Sequence, residues 1–348
     1  SCSMPHSPLH EAYLRKHGVY FYFPEKTISE DVEQYTTMII VAGLRELGYP
    51  CYSNVAHSLL VAKPITQVQN DFVVLDVTQA NYTPQLMDAF ANLKCRGKLI
   101  HSRADGNSEI LTHNAVTALM AHESRFIVFK QRRHPWAFGL SDKWVKRHAN
   151  TVPFSERRPV IVRNFRPSMA QGVRAALDLA LIPHLEKHFT IHRAIDVSSY
   201  PELLANSVGC VAYGGEFTSD LLKNSYFEQY PSIRQLGSQR QLLSDTVVMR
   251  WDSWRFWESL AAGCLTFHLD FEKHGFRLPE MPLPWIHYIP VDLADPKGCI
   301  EQLMDRRAEW PAIAEAGKAW ALTHYTPGPT ARRFIQHCTD ELSCSQRS

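Results

Sequence analysis

The chain has 348 residues, 45% of them hydrophobic, and a formal net charge of +2. That length exceeds one ordinary compact core and fits two domains of ~150–170 residues, while the near-neutral charge points by itself to no class of partner. Eight cysteines without a C-x-x-C pair argue against a disulfide framework or a zinc site and for a reducing, cytoplasmic setting. No apolar run approaches the ~18 residues of a membrane-spanning helix, and the opening SCSMPHSPLH is polar and Pro-rich, unlike a secretory leader.

In chain order, GVYFYFP (18–24) predicts a strand ended by Pro24, and 30–50 carries helical spacing up to Gly48 and Pro50. FVVLDV (72–77) reads as a strand, 83–93 as a helix, and KLIHSRADG (98–106) as a strand running into a polar loop. HNAVTALMAHE (113–123) reads as a helix and RFIVFK (125–130) as a strand. The alternation breaks over 131–159 and then restarts. Strands are predicted at PVIVRNF (159–165), FTIHRA, GCVAYGG (209–215), TVVMRW (246–251), CLTFHLD (264–270) and IHYIPV. Helices are predicted at 169–188, YPELLANS, 232–245, RFWESLAAG and three closing segments. Strands alternating with helices imply parallel α/β sheets, here two doubly wound, Rossmann-like sheets in tandem. Such sheets bind ligands beyond the carboxyl ends of their strands, and two of them facing each other form a cleft. The expected division is 1–155, 156–325 and a closing helix 326–348 that packs back toward the first domain.

RFWESLAAGC (255–264) is the most informative stretch. Asp252 or Ser253 is placed to cap the helix, and Arg255 and Glu258, three residues apart, share a face in its first turns. The free N–H groups and positive dipole end of such a helix suit phosphate. Ala261, Ala262 and Gly263 allow the helix to lie close to the sheet. The simpler reading is an Arg–Glu surface pair, with Trp254, Phe256 and Trp257 in the core.

ESLAAGC (258–264) resembles the E-A-(L/M)-A-x-G-x-P signature of GT-B glycosyltransferases, two-Rossmann-domain enzymes that use nucleotide-sugar donors. RNFRPSMAQG (163–172) is similar to a degenerate form of that group's Gly-Arg…Lys-Gly pattern, with Arg166 and Gly172 in place. The resemblance covers roughly 159–335 and implies that Glu258 binds ribose hydroxyls of the donor. Two positions depart from the pattern: Arg250 stands where retaining members carry an acid, and Gln171 where they carry a phosphate-clamping lysine. Arg163, Arg166, Arg250 and Arg255 are the cations available to a diphosphate leaving group. There is no Asp-x-Asp motif, so the expectation is a metal-independent enzyme with no cofactor besides its nucleotide-sugar substrate. Gly214 and Gly215 permit close backbone approach to a base or phosphate, or form a tight turn. His268 and Asp270 either touch the donor sugar or cap the next helix.

On the first sheet, the loop HSRADGNSE (101–109) gathers His101, Arg103, Asp105 and Glu109 after a strand. His101 or Asp105 is the candidate general base toward an acceptor hydroxyl; Asp76 is similarly placed. The structural alternative makes Asp105–Gly106 a turn and His101 a hydrogen-bonded strand end. From Arg125 to Arg174 the chain holds twelve Lys and Arg against two acids, Asp142 and Glu156. Lys130, Arg132, Arg133, Lys143, Lys146 and Arg147 are the candidate acceptor contacts, and the surplus suits an anionic acceptor such as DNA, a phospholipid surface or a membrane-associated glycan, or else a solvated face. The expected function is glycosyl transfer from a nucleotide sugar. A nucleotide-sugar epimerase on the same scaffold and a non-catalytic ligand or polyanion binder are the alternatives.

Overall fold

The computed structural model describes residues 7–25, 28, 36–77, 83–102, 113–126, 131–166, 172–193, 195–217 and 248–345. It divides into two units, Ser1–Glu123 with Ile127–Asp142 and His324–Ser348, and Ser124–Phe126 with Lys143–Thr323. No helix among the described residues is long and apolar enough to cross a membrane.

The first unit holds a seven-stranded sheet in the order β3-β2-β1-β4-β5-β6-β7, every pair parallel. Its strands are β1 (Val19–Tyr22), β2 (Cys51–Ser53), β3 (Val61–Ala62), β4 (Phe72–Val77), β5 (Gly97–Ser102), β6 (Ala118–Met120) and β7 (Arg133–Pro135). Successive side chains leave opposite faces. Phe21, Val74 and Leu99 therefore join a core under helices Thr36–Glu46 and Pro327–Ser345, supplied by Ile40, Leu44, Phe334, Ile335 and Cys338. Their neighbours Tyr20, Val73 and Ile100 pack on the other face with Met87 and Phe90 of helix Pro84–Ala91. The two helices on the first face cross closely at Gly43, where a Cβ would stand 2.0 Å from the Pro327 carbonyl oxygen.

The second unit holds a five-stranded parallel sheet, β14-β13-β10-β8-β9, and a separate antiparallel pair, β11-β12. These strands are β8 (Arg158–Arg163), β9 (Thr190–Arg193), β10 (Ser207–Val211), β11 (Glu216–Phe217), β12 (Val248–Met249), β13 (Leu265–Leu269) and β14 (Ile289–Val291). Helix Trp254–Ala261 presses Phe256 and Trp257 into an aromatic core, where Trp257 stacks on Trp320 at 5.8 Å and 17°. Both units are α/β with parallel sheets, as the alternation of strands and helices implied.

Several elements differ from expectation. The segment 113–123 contains β6 rather than a helix. Val116 to Ser124 are buried without a break, so no solvent-facing stripe recurs at helical period, as fits a strand covered on both faces. β7 lies within the stretch read as a break in the pattern. The predicted helix 169–188 is two helices, Gly172–Ala180 and Ile182–Leu185; Pro183 has no N–H to continue the ladder. TVVMRW contributes only β12 to the antiparallel pair, not a strand of the main sheet. Most of RFIVFK and all of 232–245 fall outside the described residues.

Candidate functional site

In the second sheet β9 lies on one side of β8 and β10 on the other. The switch point between β8 and β10 is where a doubly wound sheet opens a ligand crevice at its carboxyl edge. β8 delivers Arg163 there, followed by Asn164, Phe165 and Arg166. Helix Gly172–Ala180 brings Arg174, and helix Trp254–Ala261 brings Arg255.

These side chains converge on the turn after β8. The Arg163 guanidinium donates to both Asp178 carboxylate oxygens, to Oδ1 at 2.7 Å, and to the Phe165 carbonyl at 3.3 Å. Its Cζ lies 4.4 Å from the Phe165 ring centroid, and that of Arg174 lies 4.9 Å from the same ring. Arg174 Nε donates to the Tyr213 carbonyl at 3.2 Å, and Arg255 Nε donates to the Asn164 carbonyl. Arg166 is exposed beside them. The hydrogen-bonded Asp178 carboxylate holds Arg163 above its usual range, so this arginine fixes the turn while Arg166, Arg174 and Arg255 carry the positive charge around it. Arg174 was missed in the sequence. It lies two residues beyond the degenerate glycine motif, and its spacing matches nothing at that level.

The remaining donor-side candidates fall nearby. Arg250 has φ 54°, the left-handed region that costs a non-glycine residue about 1–2 kcal/mol. Its Nε lies 3.3 Å from Glu216 Oε2 across the antiparallel pair. Gly214 and Gly215 are buried. At Gly215, φ is 130° and a Cβ would stand 2.5 Å from Val248 Cγ1, so packing against β12 demands this glycine. Ser253 caps the following helix through its Oγ, which accepts from Arg255 N at 3.3 Å; Asp252 instead accepts from Trp257 Nε1 at 2.9 Å. Glu258 is half-buried, with its main-chain carbonyl 3.3 Å from Trp144 Nε1. Burial first, and the Glu258 carboxylate next, keep the Tyr200 phenol protonated far above its ordinary range. Asp270 caps helix Phe271–His274, accepting from Lys273 N at 3.1 Å. His268 is fully buried among Trp251, Phe256 and Phe271.

At the carboxyl edge of the first sheet, His101 of β5 stands opposite Asp76 of β4. Both are buried, as is Thr37 in the first turn of helix Thr36–Glu46. Thr37 Oγ1 lies 2.6 Å from Asp76 Oδ1 and 2.8 Å from His101 Nδ1. Asn54 was not anticipated; it accepts from Phe23 N at 2.8 Å and donates to the Phe23 carbonyl at 2.9 Å, closing the end of β1. Asp105, with Arg103 and Glu109, lies outside the described residues.

The basic stretch is not one face. Arg132 Nη2 donates to both Glu341 carboxylate oxygens at 2.7 and 2.8 Å, and the Arg133 side chain, buried, pairs with Glu123 at 3.2 Å. Arg125 pairs with Glu272 at 3.0 Å. Arg157 is buried under main-chain carbonyls. Lys130 lies outside the described residues. Lys143, Lys146 and Arg147 are exposed on helix Asp142–Arg147, with the Arg147 guanidinium 5.2 Å from the Trp144 ring. Acids that pair with this stretch lie outside it in sequence, Glu123 and Asp178 just beyond its ends and Glu272 and Glu341 far along the chain.

No family model matches the chain, and no curated protein matches it. Among solved structures, an alpha-glucosyltransferase in complex with UDP and a 13-mer DNA containing a central A:G mismatch is 11% identical. That match covers 92% of this chain and 98% of the other with a TM-score of 0.51. A glycosyltransferase from Rickettsia africae ESF-5 is 12% identical over 93% of this chain and 98% of that one, with a TM-score of 0.45. HepE from Anabaena, in complex with UDP-glucose, is 10% identical over 92% and 98%, with a TM-score of 0.45. The first likeness shows the fold: two tandem doubly wound α/β units, the GT-B architecture.

Proposed function

We propose that the protein is a glycosyltransferase that moves a sugar from a nucleotide-sugar donor to an acceptor hydroxyl. The observation that carries this reading is the convergence of Arg174 and Arg255 on the Asn164–Phe165 turn at the β8/β10 switch point, with Arg166 exposed beside it. A departing nucleoside diphosphate gains negative charge as the sugar–oxygen bond breaks, and fixed guanidiniums stabilise that charge where it builds up. Glu258 sits one helical turn beyond Arg255 and takes the ribose hydroxyls. Arginines, not a metal ion, meet the phosphates in this reading.

Calorimetric titration with UDP tests it. The wild type should bind equally well with and without EDTA. Glu258→Ala should weaken binding by about 1–3 kcal/mol, the loss of a charge-assisted hydrogen bond. A folded variant with unchanged affinity would sink the role of Glu258, and binding that requires added magnesium would remove the arginine account. Slow release of sugar to water from the donor separates a transferase from a binder, and interconversion of sugars without acceptor identifies an epimerase.

An anionic acceptor is proposed from the exposed trio Lys143, Lys146 and Arg147, DNA being the case suggested by the alpha-glucosyltransferase complex. Affinity for a single-stranded oligonucleotide should fall with rising salt with a log–log slope of about 0.7 per phosphate contacted. A flat dependence would assign a neutral acceptor.

A further inference from the structure

We propose that Tyr200 is a positioning residue for Glu258: its phenol donates to the Glu258 carboxyl group and holds it in one orientation for the ribose hydroxyls of a nucleotide-sugar donor. This role rests on the donor-site reading of Glu258 above. Tyr200 opens helix Tyr200–Asn206, which leads into β10, and Glu258 lies on helix Trp254–Ala261, which leads into β13. Both helices pack on β10. Trp144 bridges them: its Nε1 donates to the Glu258 main-chain carbonyl at 3.3 Å, and its ring centroid lies 6.1 Å from that of Tyr200. Burial first, and the neighbouring Glu258 carboxylate next, hold the phenol protonated, so at neutral pH it is a donor.

The acceptor follows from what surrounds that donor. Tyr200 is 7% exposed, and its hydroxyl makes no hydrogen bond of ordinary length among the described residues. A buried hydroxyl left in that state is costly, and native proteins keep few of them. Arg255 and Cys210 lie near it as well. A guanidinium only donates, and the Cys210 thiol, a weak acceptor, itself donates to the Val211 carbonyl at 3.6 Å. The Trp144 N–H is spent on the Glu258 main chain. The Glu258 carboxyl group is therefore the acceptor within reach, and one of its oxygens accepts whether or not the group is ionised.

The benefit is preorganisation. Glu258 is half-buried, and a glutamate on a helix face that is not fixed samples several rotamers, which a ligand must then select. Tyrosine has few torsions, and here its ring is packed under Trp144. A bond from its hydroxyl fixes the Glu258 carboxyl before the donor arrives, which removes that ordering cost from binding. A carboxylate has two oxygens and about four lone-pair sites, so one bond from Tyr200 leaves room for neighbouring ribose hydroxyls. Tyr200 itself touches no substrate, and its influence passes through Glu258 alone.

Calorimetry with UDP and with its 2′,3′-dideoxy analogue separates this role from a structural one. The wild type should prefer UDP. Tyr200→Phe, which keeps the ring and removes only the hydroxyl, should weaken UDP binding about tenfold, the net worth of one hydrogen bond, and leave the dideoxy analogue unchanged. In a Glu258→Ala background the same change should have no further effect. Undiminished UDP affinity in folded Tyr200→Phe overturns the proposal, and so does an equal loss for both ligands or an additive loss in the double variant. NMR of protein labelled with 13C at tyrosine Cζ tests the contact without ligand and without that variant having to fold. Glu258→Ala should move the Tyr200 signal toward that of a phenol with no acceptor, and an unmoved signal overturns the proposal. A wild type that binds no UDP, or does not distinguish it from the dideoxy analogue, would instead fail the donor-site reading of Glu258, whatever the NMR contact shows.

Discussion

Arg157→Leu is expected to destabilise the second unit by about 3–5 kcal/mol, one of the largest effects available to a single substitution in this chain. Arg157 is 7% exposed, and its guanidinium is held by main-chain carbonyls and one thiol. Nη2 donates to the Ala262 carbonyl at 2.6 Å, Nη1 to those of Leu204 and Ser207 at 3.3 and 3.2 Å, and Nε to that of Val152 at 3.1 Å. Ala262 and Ser207 are the C-caps of helices Trp254–Ala261 and Tyr200–Asn206. The negative ends of two helices therefore meet one cation. Leucine would take the guanidinium donors from all four carbonyls; that of Leu204 keeps the Ser207 N–H and the Cys264 thiol, and that of Ser207 keeps the thiol at 3.7 Å, while each carbonyl left with no other donor costs about 1–3 kcal/mol. Lysine should recover only part, because one ammonium cannot span the same fan of acceptors. Urea unfolding monitored by tryptophan fluorescence is the measurement, and an unmoved midpoint for Arg157→Leu would refute the account. The same arginine explains the small residues of the Ala-Ala-Gly run. At Gly263 φ is 80°, and a Cβ there would stand 2.8 Å from Arg157 Nη2. The run lets the helix end close to the sheet and admits the guanidinium.

Acid should unfold the second unit well above the pH at which its carboxylates titrate. Burial is the chief cause that pushes His148, His268 and His274 down to about 4, against an ordinary value near 6.5. His268 lies fully buried within 4.5 Å of the Phe271 ring centroid and 5.0 Å of that of Phe256. The sign is fixed by which state binds more protons. Below about pH 6.5 the unfolded chain protonates these imidazoles while the native state does not until about 4. Stability is therefore full above about pH 7 and lost as pH falls from about 6.5 toward 4. Each histidine contributes up to about 3 kcal/mol of that loss. Three of them rival the whole stability of an ordinary domain, about 5–15 kcal/mol. Urea midpoints at pH 7.5, 6 and 5 should drop steeply. His268→Phe, which keeps the aromatic packing and removes the titration, should flatten the curve if the protein folds. A wild-type profile that is level between pH 7 and 5 would contradict the assignment.

The sequence made the strands with unbroken apolar runs legible. FVVLDV is β4 to the residue, and LTFHL is β13, because buried parallel strands tolerate few polar side chains. It failed where burial is continuous but short, as at β6, since periodicity cannot separate a two-sided strand from a buried helix. Arg163, Arg166 and Arg255, which are proposed for the donor side, were singled out in the sequence through the helix-start pattern and the motif resemblance. Arg174 was not, because its place at the site depends on Phe165 and Tyr213, brought together only by the sheet. Conversely, Arg132 and Arg133 looked available because their partners Glu341 and Glu123 cannot be paired with them from spacing alone. Thr37, whose hydroxyl reaches both Asp76 and His101, gave no signal: one threonine in an apolar helix reads as core until two strands bring those side chains to it.

The closing helix Pro327–Ser345 contributes Ala331, Phe334, Ile335, Cys338 and Leu342 to the core of the first unit. This has a consequence for biosynthesis. A nascent chain ordinarily folds its amino-terminal domain while the remainder is still being made. Here the earlier sheet waits, the face that carries Phe21, Phe72 and Leu99 covered only by helix Thr36–Glu46, until all of Lys143–Thr323 has been translated and the closing helix follows. The earlier of the two units is thus completed after the later one, and during that interval the part of its face that the closing helix will cover is open to chaperones and to misassembly.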